Sequence, residues 1–163
     1  MMRVAATLAL AIFAQAENLD VEYRAVTLAV NERRVFHVPH LDRVTGSTGR
    51  CVAEGLDSVE PQSFWVQGLC SGMRTVMVWK KTGRRMHLLA CVESDDVAKD
   101  VMVNRNAISN ELKAMKSVTV CARNGRVELW GWAQTLKEAD RINAILAKYD
   151  RSAVRNFVER IEE

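Results

Sequence analysis

The stretch VTVCARNGRVELWGW, Val118 to Trp132, decides how the chain is read. Asn124 and Gly125 at its centre form the dipeptide best suited to a two-residue type I′ hairpin turn, in which both central residues take positive φ. That turn fixes the register. Cys121 falls opposite Glu128, Val120 opposite Leu129 and Thr119 opposite Trp130. Because side chains alternate along a strand, one face carries Val118, Val120, Ala122, Val127 and Leu129, and it is the expected core face. The other face carries Thr119, Cys121, Arg123, Arg126, Glu128, Trp130 and Trp132. Two tryptophans among charges have two readings: they are covered by the rest of the chain, or they form an apolar patch suited to a partner.

On the C-terminal side, Thr135 and Glu138 have capping-box spacing, and Ala139, Ile142, Leu146 and Tyr149 follow on one helical stripe. This predicts a helix from Thr135 to about Tyr149 or Asp150. Beyond it, Val154, Phe157, Val158 and Ile161 fit either a helix or a strand, since periodicity does not separate the two in a short apolar run. On the N-terminal side, Ile108, Leu112 and Met115 recur at helical spacing, giving a helix from about Asn106 to Lys116. Residues 93–103 open with Ser94, Asp95 and Asp96 and read as a linker, so the second module covers residues 104–163.

Residues 26–92 show short apolar runs separated by turn residues, which argues for strands. The runs are Val26 to Val30, Arg34 to Val38, Phe64 to Val66, Thr75 to Trp79 and Met86 to Val92. The last two flank a basic tip with Lys80, Lys81, Arg84 and Arg85. The expected fold is therefore α+β: a short lead at residues 17–25, a small β-rich module, and a second module that begins with helix, hairpin and helix.

Met1 to Ala16 has a basic start at Arg3, an apolar run from Val4 to Ala14 and a small-residue end at Ala14 and Ala16, the parts of a cleavable signal peptide. The alternative is an N-terminal core helix. The run is too short to cross a bilayer, which takes about 20 residues. Removing Arg3 leaves 22 basic against 20 acidic residues, both scattered, so there is no basic stripe for nucleic acid. Export is expected to place the protein in the periplasm, where its four cysteines, Cys51, Cys70, Cys91 and Cys121, meet an oxidising environment. Three pairings are open, and full pairing requires one bridge between the halves because only Cys121 follows residue 95. With no Cys-x-x-Cys and no spaced Cys/His repeat, metal binding is not expected.

Residues 103–163 resemble the BON module of bacterial envelope proteins. The matching positions are Leu112, Val118 to Val120, Gly125 to Leu129, Gly131, Ala139 to Ile145, Val154, Asn156 and Val158. In that family the last segment is a strand beside the hairpin, which implies an αββαβ order here. The first module resembles the N-terminal region of pilus-assembly secretins, through Leu28, Val30, Arg34, Val35, Val66, Gly68, Gly72, Thr75, Val76, Val78, Trp79, Gly83 and Arg84. In that family these modules precede a β-barrel channel. The residues to Glu163 carry none, so the chain is expected to be a standalone relative or part of a longer secretin.

The resemblance implies a non-enzymatic periplasmic ring or scaffold component of a pilus-assembly or secretion apparatus. Such a protein forms homo- or hetero-oligomers with secretin-type partners and meets the outer membrane through them. The alternative is an envelope module that binds phospholipid or peptidoglycan. Expected partner contacts are Trp130, Trp132, Lys80, Lys81, Arg84 and Arg85. There is no Gly-x-Ser-x-Gly, phosphate-binding glycine loop or metalloprotease motif, and His37 and His40 have no assignable nucleophile. No catalytic residue and no cofactor is expected.

Overall fold

In the first half of the chain, strand β1 (Val21–Leu28) pairs in parallel with β7 (Arg85–Val92), from Val21 beside Arg85 to Leu28 beside Val92. β7 is antiparallel to β6 (Gly72–Lys80), which is antiparallel to β3 (Leu41–Gly46), giving a first sheet ordered β1-β7-β6-β3. A second sheet, β2-β5-β4, is built from β2 (Arg33–His37), β5 (Ser63–Gly68) and β4 (Val52–Leu56). The computed structural model describes residues 21–46 and 49–161. The signal-peptide reading of Met1 to Ala16 lies outside them.

The two sheets share one core in which Val26 and Leu28 of β1 meet Phe64 and Val66 of β5 and Met86 and Leu88 of β7. Alternation explains the partition. Met86, Leu88, Ala90 and Val92 point into this core, while His87 and Cys91 point the other way and contact the second half of the chain. A strand buried on both faces loses its polar alternation, which is why residues 88–92 are continuously apolar.

The start of β1 and the presence of two further strands differ from the sequence reading, while the link from β1 to β2 is short. β1 starts at Val21, inside the expected lead, because its partner β7 lies far along the chain and leaves no local signal. Strands β1 and β2 are tightly connected around Asn31, whose φ is 66°, yet they enter different sheets. Strands β3 and β4 were not expected at all. In β4 the pattern is broken by Glu54, which pairs with Arg74 of β6 at 2.8 Å with both side chains mostly buried.

In the second half, β8 (Val118–Arg123) and β9 (Arg126–Ala133) form the predicted hairpin, and β10 (Val154–Arg160) adds in parallel to β9. The register is the one read from the turn, with Cys121 opposite Glu128 and Thr119 opposite Trp130. Asn124 and Gly125 have φ of 52° and 69°, as a type I′ turn requires. All five residues of the expected core face are buried, against Ile108 and Leu112 of α1 (Lys99–Leu112) and Ile142 and Ile145 of α2 (Leu136–Leu146).

Helix α1 starts seven residues earlier than expected, within residues 93–103, and stops at Leu112. Its N-cap, Ala98, offers no capping side chain, so nothing local marks the start, and Met115 is buried from a turn rather than from the helix. Helix α2 begins where predicted: the Glu138 amide donates to Thr135 Oγ1 at 3.2 Å, and Glu138 Oε2 accepts from the Gln134 amide at 2.7 Å. It ends at Leu146, short of Tyr149, which still packs on the core. Thr135→Ala is expected to cost about 1 kcal/mol in urea denaturation, since it orphans one amide at the helix start.

Candidate interaction surfaces

The charged face of the hairpin lies against the first sheet. Thr27 Oγ1 donates to the Val120 carbonyl at 2.9 Å, the Ala25 amide to the Lys116 carbonyl at 2.8 Å, and the Ser94 amide to the Ala122 carbonyl at 3.1 Å. Glu93 receives the Arg105 guanidinium at 2.8 and 3.3 Å and the Ala122 amide at 3.0 Å. Two disulfides are formed, Cys51–Cys70 within the first half and Cys91–Cys121 between the halves. The second is the inter-half bridge that full pairing demanded. Cys91 and Cys121 are fully buried, whereas Cys70 is exposed.

The two tryptophans of β9 have different surroundings. Trp132 packs on Tyr23 at 4.9 Å between ring centroids and lies 6.3 Å from His87, within the junction of the halves. Trp130 stacks on Phe157 of β10 at 4.1 Å, its ring nearly parallel, and its indole N–H donates to Glu128 Oε2 at 3.0 Å. Phe157 is 37% exposed. Glu128 is buried, accepts from Asn124 Nδ2 at 3.2 Å, and has Arg123 and Arg126 at 3.6 and 3.9 Å. A buried carboxylate is stable only with such partners, and here they come from the turn itself. Phe157 entered the sequence reading only as part of an ambiguous apolar run. Its pairing with Trp130 depends on the parallel addition of β10.

Burial pushes the His87 imidazole below its usual 6.5, and the neighbouring Arg85 adds to the effect. A histidine held neutral in the fold is protonated first in the unfolded chain, so its contribution is complete above pH 6.5 and is lost as pH falls through the lower folded value. Stability is therefore expected to decline on acidification below about pH 6.5, and His87→Gln to flatten that part of the profile. Tryptophan fluorescence during denaturation at a series of pH values reads both.

The basic tip is divided in the same way. Lys80 pairs with Glu22 at 3.1 Å, and the guanidinium groups of Arg85 and Arg43 each lie 4.7 Å from the Trp79 ring centroid. Lys81 and Arg84 are exposed at the turn. His37 Nδ1 lies 3.3 Å from Ser63 Oγ, and the His40 amide donates to Gln62 at 2.8 Å. Among the described residues no three His, Cys, Asp or Glu side chains are grouped to hold a metal ion, and no helix is long and apolar enough to cross a membrane.

The edges of the third sheet, ordered β10-β9-β8, are unequal. The outer edge of β8 is bonded to the first half through Ala122 and Val120. Among the described residues β10 has a single neighbouring strand, β9. The Val127 amide donates to the Ala153 carbonyl and the Ile161 amide to the Ala133 carbonyl, so in a parallel ladder the odd-numbered residues of β10 face β9 and the even-numbered ones face outward. The outward Val158 amide is taken by Asn156 Oδ1 at 3.0 Å. Beside this edge a groove of about 680 Å³ is lined by Leu146, Tyr149, Arg151, Val154, Arg155 and Asn156, among others.

No protein-family model and no curated protein matches the sequence. Among solved structures, a sialyltransferase from Photobacterium damsela is similar over 85% of this chain and 30% of its own, with a TM-score of 0.35 and 9% identity. A 2,6-sialyltransferase from Photobacterium sp. JT-ISH-224, in a ternary complex with CMP and lactose, is similar over 85% of this chain and 29% of its own, with a TM-score of 0.29 and 8% identity. The chain thus spans less than a third of either enzyme, and likeness at this level assigns neither fold family nor activity.

Proposed function

We propose that the protein is a non-enzymatic scaffold component of a pilus-assembly or protein-secretion apparatus, working in the periplasm through contacts with copies of itself or with secretin-type neighbours. The observation that carries this reading is the outer edge of β10, which among the described residues has no strand beyond it, together with the Trp130–Phe157 stack, in which Phe157 is exposed. The reading of the second half as a BON-like module is supported by the order α1-β8-β9-α2-β10, in which the last strand joins the hairpin. Export is supported by the two disulfides, which persist in oxidising compartments.

Native mass spectrometry of the exported protein, alone and with envelope extract, tests the proposal. Higher-order species are expected, and Phe157→Glu is expected to shift them to monomer with an unchanged circular dichroism spectrum. A strictly monomeric protein under both conditions defeats the reading. The envelope-ligand reading draws on a different place, the cationic row of Arg43, Trp79 and Arg85 next to the exposed Lys81. It predicts sedimentation with anionic liposomes that Lys81→Glu weakens.

A further inference from the structure

We infer that β10 pairs antiparallel with β10 of a second copy of the chain, about a two-fold axis through Phe157, joining the third sheets of both copies into one. The inference rests on the scaffold reading and names the partner as the chain itself. The side of β10 away from β9 presents the amides and carbonyls of even-numbered residues, and among the described residues no strand lies beyond it. An edge of this kind accepts an added strand. What selects that strand is the order of residues in β10 itself, Arg155, Asn156, Phe157, Val158 and Glu159.

Around a two-fold axis, residues equally far from the centre face each other. Arg155 and Glu159 lie on either side of Phe157 at equal distance in the strand, so Arg155 meets the partner's Glu159 and Glu159 meets the partner's Arg155. Phe157 meets the partner's Phe157, which extends the stack already formed with Trp130. Asn156 and the partner's Val158 exchange backbone bonds. The odd-numbered pairs then sit at the non-hydrogen-bonded sites, where Cα atoms are about 4.5 Å apart and side chains come closest. Opposite charges and paired aromatics are favourable there. Arg155, Phe157 and Glu159 are all exposed, and neither charged side chain has an ion pair among the described residues. Other centres lose this match. An axis at Asn156 sets Arg155 against a phenyl ring, one at Val158 does the same to Glu159, and one at Arg155 or Glu159 sets like charges together. In the single chain the edge is guarded, because Asn156 Oδ1 holds the Val158 amide at 3.0 Å. Pairing passes that amide to the partner's Asn156 carbonyl, so association competes with a local bond and is reversible.

The test uses the full exported chain with both disulfides formed, in sedimentation velocity over a range of concentrations. A reversible dimer is expected. Arg155→Glu alone alters both symmetry-related contacts and is expected to weaken the dimer about tenfold, as is Glu159→Arg alone. The two changes combined in one chain are expected to restore it, a rescue that damage to the fold does not imitate. Asn156→Val, which removes the guard, is expected to tighten it. Oxidation of an equimolar mixture of Arg155→Cys and Glu159→Cys chains reads the register: peptide mapping is expected to find a bridge between positions 155 and 159, and none between like positions in either variant alone. The inference is overturned if the chain stays monomeric at every concentration, if the dimer ignores the charge reversals or the combined change fails to restore it, or if like positions bridge. A chain that is monomeric alone but assembles in envelope extract overturns the inference and leaves the scaffold reading standing. One that is monomeric in both overturns the two together.

Discussion

Gly131→Ala is expected to lower stability by about 3 kcal/mol, a melting temperature roughly 10 °C lower. Gly131 has φ of 125°, and a Cβ there lies 2.0 Å from the Ser117 carbonyl oxygen. That oxygen is backbone, so no side chain can swing aside. It also accepts the Trp132 amide at 2.9 Å, so a shift that relieves the clash breaks this bond and moves Trp132 off Tyr23. Gly83→Ala is the control: φ is 84° but nothing lies within 4 Å, so only backbone strain of about 1 kcal/mol remains. Urea denaturation followed by tryptophan fluorescence separates the two. Equal midpoints for the two variants refute the close approach at Ser117.

Removing the inter-half disulfide by Cys91→Ala with Cys121→Ala is expected to cost about 3.6 kcal/mol, the chain-entropy value for a loop closed across 30 residues. Both sulfurs are buried, so alanine leaves a small cavity but no unsatisfied polar group. The bridge ties the sandwich to the hairpin, and its loss is expected to split one cooperative transition into two. Loss of Cys51–Cys70, which closes 19 residues within the first half, is expected to leave a single transition. Mild reductant followed by alkylation and peptide mapping is expected to label Cys51 and Cys70 first, because Cys70 is exposed. Labelling of Cys91 before Cys70 contradicts the packing at the junction.

The same residues show how far local reading goes. The dipeptide Asn124-Gly125 sets its own backbone angles, and alternation then assigns every hairpin side chain to a face, so core and register were legible without any distant partner. The cap at Thr135 was legible for the same reason. The start of α1 was not, since Ala98 carries no capping group. Strand β4 was hidden by Glu54, whose burial is tolerable only because Arg74 arrives from another sheet.

For the candidate surfaces, sequence brought Trp130 and Trp132 to one strand face but left open what covers them. The fold decides this: β1 and β7 bring Tyr23 and His87 to Trp132, while β10 brings Phe157 to Trp130. By itself the sequence determined what one turn and two strands can fix, namely backbone angles, register and the sidedness of residues 118–132. Parallel pairing of β1 with β7, the choice of Cys121 for Cys91 and the cover over Trp132 were decided by tertiary structure, because each depends on burial between segments whose local patterns carry no record of one another.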